Sequence, residues 1–194
     1  GVIVPSRRLD TGTAPLPAAG DLAFVAQSDT IASTMLDWAG TRGIGFSQLV
    51  SLGEHADVDF GDMLDYLASD AKTRSILLYI ESIEAPRKFM SAARAAARNK
   101  PVIVVKSGRS AQGQRAAASH TGALAGDARA WAALAAQAAV VLVDTVDAFI
   151  DMLLAFQCLT LRSCKPTQRV VLFGNGGGTS VLAADAFAEC GLDV

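Results

Sequence analysis

The stretch SILLYIESIEAPRKFMSAARAAARNKPVIVVK, residues 75–106, decides the fold. It opens on a short run (75–81) whose apolar residues fall on both parities, passes through a segment with apolar residues at helical spacing (86–98), and closes on a second such run (101–106). Apolar residues on both parities suit a strand covered on both faces, as in a parallel sheet. Working outward, LAFVAQ at 22–27, FSQLVSL at 46–52 and VVLVDT at 140–145 read as further strands, and 30–40, 59–67, 129–138 and 146–161 as helices. Asp59 and Asp127 stand where N-caps belong, with carboxylates that can accept the free N–H groups of a first turn. Strand and helix thus alternate five times, which predicts an α/β domain over 20–162, a doubly wound parallel sheet with helices on both faces.

The flanks read differently. Residues 1–19 have the Pro/Gly-rich character of a connector, with neither an initiator Met nor a signal-peptide pattern, so a piece of a longer protein is expected. Ser163-Cys164-Lys165-Pro166-Thr167 interrupts the alternation. RVVLFGNGGG at 169–178, an Ala-rich helix at 179–190 and a final LDV then read as the truncated start of a second, similar unit over 163–194.

Composition removes several functions. The 194 residues are 51% hydrophobic and 19% charged, which argues for a well-buried core and against disorder. Seventeen basic against nineteen acidic side chains leave a net charge of -2, so no basic field exists to hold a nucleic acid backbone. The apolar runs stop far short of the roughly 20 residues a membrane span needs, so no membrane partner is expected. Cys158, Cys164 and Cys190 are odd in number and lack a CxxC pattern, which points to neither a disulfide frame nor a zinc site and fits a cytoplasmic, reducing setting.

In an open parallel sheet, ligands bind outside the carboxyl ends of the strands. The residues expected there are Gln27-Ser28-Asp29, Gly53-Glu54-His55, Glu81 and Ser107-Gly108-Arg109, all facing one crevice. GRSAQGQR at 108–115 has the glycine spacing of a P-loop, but Gln114 and Arg115 stand where Lys and Ser/Thr must be. GNGGGT at 174–179 follows a strand-like run and opens a helix, yet Thr179 replaces the third glycine of a dinucleotide fingerprint, and tight strand-to-helix turning explains it. His55, beside Asp57 and Asp59, fits a solvated turn with an N-cap better than a metal site. His120 lies in AAASHTGALAG, 116–126, where small residues let backbone N–H groups approach whatever the imidazole carries; spacing alone leaves an ordinary loop histidine and a functional one equally open.

A histidine that takes up a phosphoryl group needs its attacking nitrogen unprotonated, so the other ring nitrogen should donate to a carboxylate or carbonyl. The phosphoryl group needs positive potential, which a helix N-terminus supplies through its free N–H groups. Glu81 at a strand end and the helix opening at Ser28-Asp29-Thr30 are the parts available.

From AFVAQS through LDWAGTRGIGFSQLVSLGEHADVDFGDMLDYLASD, ILLYIESI, RKFMSAARAAARNKPVIVVKSGRS and RAAASHTGALAG to NGGGTSVLAAD, the chain resembles the NDP-forming acyl-CoA synthetases. These include the ADP-forming acetate–CoA ligases and are relatives of the succinyl-CoA synthetase α-subunit. The resemblance implies a flavodoxin-like, succinyl-CoA synthetase-like domain in which His120 is the transient phosphohistidine and Glu81 the residue orienting it. It implies a phosphate site made by Ser28, Asp29 and Thr30 with Ser119, Thr121 and Gly122. The implied reaction is acyl-CoA, ADP and phosphate to acid, CoA and ATP, reversibly. CoA, ATP or ADP, and Mg²⁺ would be held in the full-length enzyme by a flanking CoA-binding domain and an ATP-grasp domain; residues 1–194 alone would bind none of them and would not turn over. No metal is expected on this domain, and a homo-oligomer is one assembly the resemblance allows.

The resemblance extends to a branch in which the same domains are fused to a GNAT protein lysine acetyltransferase, where this domain would regulate, and a pure scaffold joining flanking domains is the third reading. One position departs from the family. Where the family reads Ser-Gly-Ala or Ser-Gly-Thr, this chain has Ser28-Asp29-Thr30, and a carboxylate there would either cap the helix or repel a phosphate. Of these, capping is the expectation.

Overall fold

A computed structural model describes residues 1–7, 9–10, 16–53, 57–121, 127–158 and 167–194, with backbone only at 9, 10, 119–121, 157 and 158. The chain divides into two compact units, Gly1–Leu159 and Thr160–Val194.

In the first unit, β1 (Val2–Val4), a single 3-10 turn (Pro5–Arg7) and β2 (Leu9–Asp10) precede β3 (Ala19–Ala26), α1 (Asp29–Thr41), β4 (Phe46–Ser51) and α2 (Phe60–Ser69). There follow β5 (Ser75–Ile80), α3 (Pro86–Ala97), β6 (Val102–Lys106), α4 (Ala111–Thr121), α5 (Ala128–Ala138), β7 (Val141–Val143) and α6 (Val146–Cys158). The strands form one sheet in the order β2-β1-β4-β3-β5-β6-β7, with β4, β3, β5, β6 and β7 parallel. Counting only these parallel strands in chain order, the arrangement is 2-1-3-4-5, the doubly wound flavodoxin order, with its direction of winding reversing between β3 and β5.

Both faces of the sheet are covered, as apolar residues on both parities require. Ala23, Val25, Leu78 and Val104 point to one side and pack with Leu64 of α2, Phe89 of α3 and Trp131 of α5. Phe24, Leu77 and Ile103 point to the other and pack with Met35 of α1 and Phe149 and Leu153 of α6. An edge contact between Phe89 and Trp131, centroids 6.0 Å apart, and a tilted one between Phe24 and Phe149, 5.7 Å apart, anchor the two layers. Both anticipated N-caps are present. Asp59 makes a reciprocal capping box with Asp62, and Asp127 accepts the N–H of Arg129.

Two segments differ from expectation. Residues 2–4, read as part of a connector, form a strand antiparallel to β4, with Val2 opposite Val50 and Ile3 opposite Leu49; Ile3 is buried, so this apolar triplet joins the sheet. Residues 116–121, part of the stretch 116–126 read as a loop of small residues, belong to helix α4. Alanine has the highest helix propensity, and Ser110 starts the helix by accepting the Gly113 N–H at 3.0 Å. A Cβ on Gly113 would lie 3.2 Å from Ser110 Oγ and 3.3 Å from Gly108 Cα, so this glycine serves a tight strand-to-helix turn, with Gly108 at φ 67°.

In the second unit, α7 (Gly177–Glu189) follows the glycines of 174–178, and Arg169 makes an isolated parallel bridge with Asp193. Val170 N–H donates to Asp193 O at 2.7 Å and Asp193 N–H to Gln168 O at 3.0 Å, a strand–helix–strand pattern in outline. The strand read at 169–173 is limited to that bridge, and Val171 and Phe173 are exposed. Among the described residues no helix is long and apolar enough to cross a membrane.

Candidate functional site

The reversal between β3 and β5 opens the sheet's carboxyl edge, and the side chain of Gln27 spans it. Gln27 Oε1 accepts the backbone N–H groups of both Glu81 and Ser82 at 2.9 Å, and Gln27 Nε2 donates to Ser82 Oγ at 2.9 Å. Two backbone donors on one oxygen fix which end of the amide is which. Gln27 N–H also donates to Tyr79 O at 3.1 Å, so the ends of β3 and β5 are joined through backbone and side chain together. Ser107 continues the edge, its N–H donating to Ile80 O at 3.0 Å. Glu81 is thereby held half-buried at the switch point.

The first turn of α1 lies at the same edge. Ser28 is its N-cap, with φ -104° and ψ 124°, and Ser28 Oγ accepts the Ile31 N–H at 3.4 Å. The expectation that Asp29 caps the helix is therefore corrected: the hydroxyl of Ser28 takes that role, and the Asp29 carboxylate instead accepts a hydrogen bond from Ser51 Oγ at the end of β4. The tie is sterically natural, because Ser51 pairs with Ala26 in register and Leu52 N–H donates to Ala26 O at 2.9 Å. Asp29 thus keeps its carboxylate in the first turn of α1 without consuming a first-turn N–H.

Beyond Ser107, the Arg109 guanidinium pairs with Asp144, after β7, at 2.5 Å. Glu54 and His55, and Gly122, lie outside the described residues, as do the side chains of Ser119, His120 and Thr121. The backbone nonetheless places His120 in the last turn of α4, the helix that follows β6 at the carboxyl edge. Among the described residues no three His, Cys, Asp or Glu side chains gather as a metal site would require.

The site also contains groups that strand and motif reading passes over. Tyr79 is half-buried; burial pushes its phenol up, the Ser107 hydroxyl pulls the other way, and the Glu81 carboxylate adds to the rise through its charge and a hydrogen bond. Lys106, the last residue of β6, is only 3% exposed. Burial lowers its ammonium from the ordinary lysine value, and the Glu81 charge partly opposes that. Lys106 Nζ donates to the carbonyl of Ser107 and lies 5.8 Å from the centre of the Trp131 ring. A lysine closing an apolar run reads as a solvent-facing strand end, and the only available signal was its parity with Val102 and Val104, which face α3 and α5.

Comparison with known proteins agrees with this geometry. Residues 19–156 match the succinyl-CoA ligase like flavodoxin domain. The chain is 40% identical over 176 residues to an ADP-forming acetate–CoA ligase of Archaeoglobus fulgidus, covering 91% of this chain and 25% of that protein. It is 38% identical over 196 residues to the α-subunit of an ADP-forming acetate–CoA ligase of Pyrococcus furiosus, covering 99% of this chain and 41% of that one. Among solved structures, an acetyl-coenzyme A synthetase of Candidatus Korarchaeum cryptofilum, in complex with phosphate and ADP, superposes with a TM-score of 0.89 at 31% identity, over 100% of this chain and 42% of its own. The chain therefore spans from a quarter to about two-fifths of the length of these relatives. A matched domain over most of its length, the doubly wound order and the shared sequence together place this chain in the succinyl-CoA ligase-like flavodoxin domain family, alongside the ADP-forming acid–CoA ligases.

Proposed function

We propose that this chain is the phosphohistidine-bearing domain of an NDP-forming acyl-CoA synthetase, which converts acyl-CoA, ADP and phosphate to acid, CoA and ATP, reversibly. The observation that carries this reading is the Gln27 bridge, which holds Glu81 at the switch point at the same sheet edge as the first turn of α1 and the carboxyl end of β6. A carboxylate so held suits the task of accepting the N–H of the His120 imidazole and leaving its other nitrogen free to attack. In the direction of ATP formation the nitrogen forms a bond to phosphorus as the bond from phosphorus to the carboxylate oxygen of an acyl phosphate breaks and the acid departs, and in a second transfer an ADP oxygen bonds to that phosphorus as the N–P bond breaks, giving ATP and the free imidazole. Ser28, Asp29 and Thr30 with Ser119, Thr121 and Gly122 form the phosphate site on this reading. CoA, nucleotide and Mg²⁺ belong to flanking CoA-binding and ATP-grasp domains, which supply thioester and phosphoanhydride chemistry; residues 1–194 alone do not turn over.

The test uses the full-length protein incubated with γ-labelled ATP and Mg²⁺. Acid-labile, base-stable label is expected on the wild type and absent from His120→Ala. Equal label on that variant overturns the reading.

Asp29 favours a second reading, in which the domain regulates a fused protein lysine acetyltransferase. A carboxylate in the first turn of α1 opposes a phosphate there and suits a site tuned down from rapid transfer.

A further inference from the structure

Helix α3 carries its charges against its own interest. Its sequence, PRKFMSAARAAA, holds Arg87, Lys88 and Arg94 and no acidic residue, and Arg98 follows as its C-cap. Arg87 and Lys88 occupy the first turn, where the positive end of the helix dipole disfavours cations. Arg94 and Arg98 suit the other end but stand one turn apart on one face, so their charges repel. Lys88 is compensated from α2, by Asp59 at 3.1 Å and Asp62 at 2.6 Å. The arginines are not: all three are exposed, and among the described residues none of the ion pairs includes Arg87, Arg94 or Arg98.

These arginines share one side of α3 and form a wall of a groove of about 800 Å³ between α3 and α5. Ala130, Ala133 and Leu134 of α5 make the facing wall, Met90 and Ala95 extend the apolar surface from α3, and no acidic side chain lines the groove. The alanines let a third helix axis approach to about 8–10 Å. From Arg87 to Arg98 the helix rises about 16 Å, too far for a compact anion to touch all three guanidiniums but matched by three turns of another helix. Planar guanidiniums pair bidentately with carboxylates, and arginine is enriched where proteins meet.

No helix of this chain supplies the matching pattern, which is two acidic residues one turn apart and a third two turns beyond. Asp147 and Asp151 of α6 are one turn apart, but Val140 and Cys158 stand at the places open to the third. Asp185 and Glu189 end α7 in the same way, with Gly178 two turns before them. A second copy is therefore not the complement.

We propose that the groove between α3 and α5 docks an acidic amphipathic helix of a partner protein. Its carboxylates, one and then two turns apart, would pair with Arg98, Arg94 and Arg87, and its apolar stripe would lie on Leu134, Met90 and the alanines. The proposal goes beyond the phosphoryl-transfer reading and stands apart from it, because none of the residues placed in the phosphate site lines this groove.

The probe is a fluorescein-labelled synthetic helix of Leu and Ala with three glutamates at that spacing, titrated by anisotropy into the full-length protein. Saturable binding that weakens with salt is expected from the wild type. The double variant Arg94→Glu, Arg98→Glu should bind it at least about tenfold more weakly, and should bind a lysine-for-glutamate version of the peptide at least about tenfold more tightly than the wild type does. Ala133→Trp, which fills the floor at an exposed position, should abolish binding and decides the matter should the double variant fail to fold. No binding by the wild type, equal binding of a peptide of the same composition with its glutamates scrambled, or no reversal of preference in the double variant overturns the proposal. So does displacement of the peptide by a stoichiometric amount of inorganic tripolyphosphate, which would assign the groove to a compact polyanion. Self-association in sedimentation velocity that the double variant loses would assign it to a second copy and overturn it as well.

Discussion

The Gln27 side-chain oxygen accepts the Glu81 N–H at 2.9 Å across 54 residues of sequence, and so the residue after one strand sets the position of the residue after another. Gln27→Ala removes this bond, the one from Ser82 N–H and the one to Ser82 Oγ, and leaves two partly buried N–H groups without that partner. A loss of about 1–3 kcal/mol in chemical denaturation is expected. Label on His120 should also form more slowly in single turnover, because Glu81 loses its hold. A variant as stable and as fast as the wild type would show the bridge to be incidental.

Asp29 distinguishes a transfer site from a regulatory one. Asp29→Asn keeps an acceptor for Ser51 Oγ and removes the charge from the first turn of α1; Asp29→Gly removes both. Both variants are expected to speed phosphorylation of His120 several-fold in single turnover. Asp29→Gly should in addition cost about 1 kcal/mol of stability, from the lost dipole and hydrogen-bond terms. Unchanged rates in both would reduce Asp29 to a tether between α1 and β4.

Ala139 ends α5 in the left-handed region, φ 57° and ψ 35°, with its N–H donating to Ala135 O. A Cβ is disfavoured there and glycine is not, so Ala139→Gly should stabilise the protein by about 0.5–1 kcal/mol and raise Tm. A lower Tm would contradict that account of the cap.

Acid should weaken the contact between α2 and the start of β5. Burial alone would raise the Asp70 carboxyl, but hydrogen bonds from Thr73, the Lys72 N–H and Gln48, with the Lys100 charge, hold it below the ordinary aspartate value of 3.8. A carboxylate whose pKa is depressed in the folded state stabilises it at neutral pH, and that stabilisation is lost as pH falls below about 3.8 toward the folded-state value. Asp70→Asn should be less stable than the wild type at pH 7 and should flatten the fall in stability below pH 4. An unchanged acid limb would assign it to other carboxylates.

The doubly wound fold was legible because a strand buried on both faces must be apolar on both parities, as 76–80 and 102–105 are, and because Asp59 and Asp127 occupy cap positions that local chemistry defines. Helix α4 was obscured by its own glycine: Gly113 resembles a phosphate-loop residue in sequence, whereas in space it serves the close approach to Gly108. The Gln27 bridge left no local trace, and the buried Lys106 only its parity with Val102 and Val104, since both depend on which elements become neighbours. Strand β1 was hidden by its three-residue length and the Pro5 that follows it.

The margins of the sheet decide how this domain can meet other chains. At one side the antiparallel β1 lies against β4 and ends on a β2 of two residues, and at the other β7 is three residues long. Among the described residues neither margin offers the long, flat row of unpaired N–H and C=O groups on which strand-by-strand association depends. Strands of two and three residues give sheet extension little to build on, so a substitution on the helical faces leaves that protection against strand-by-strand assembly untouched.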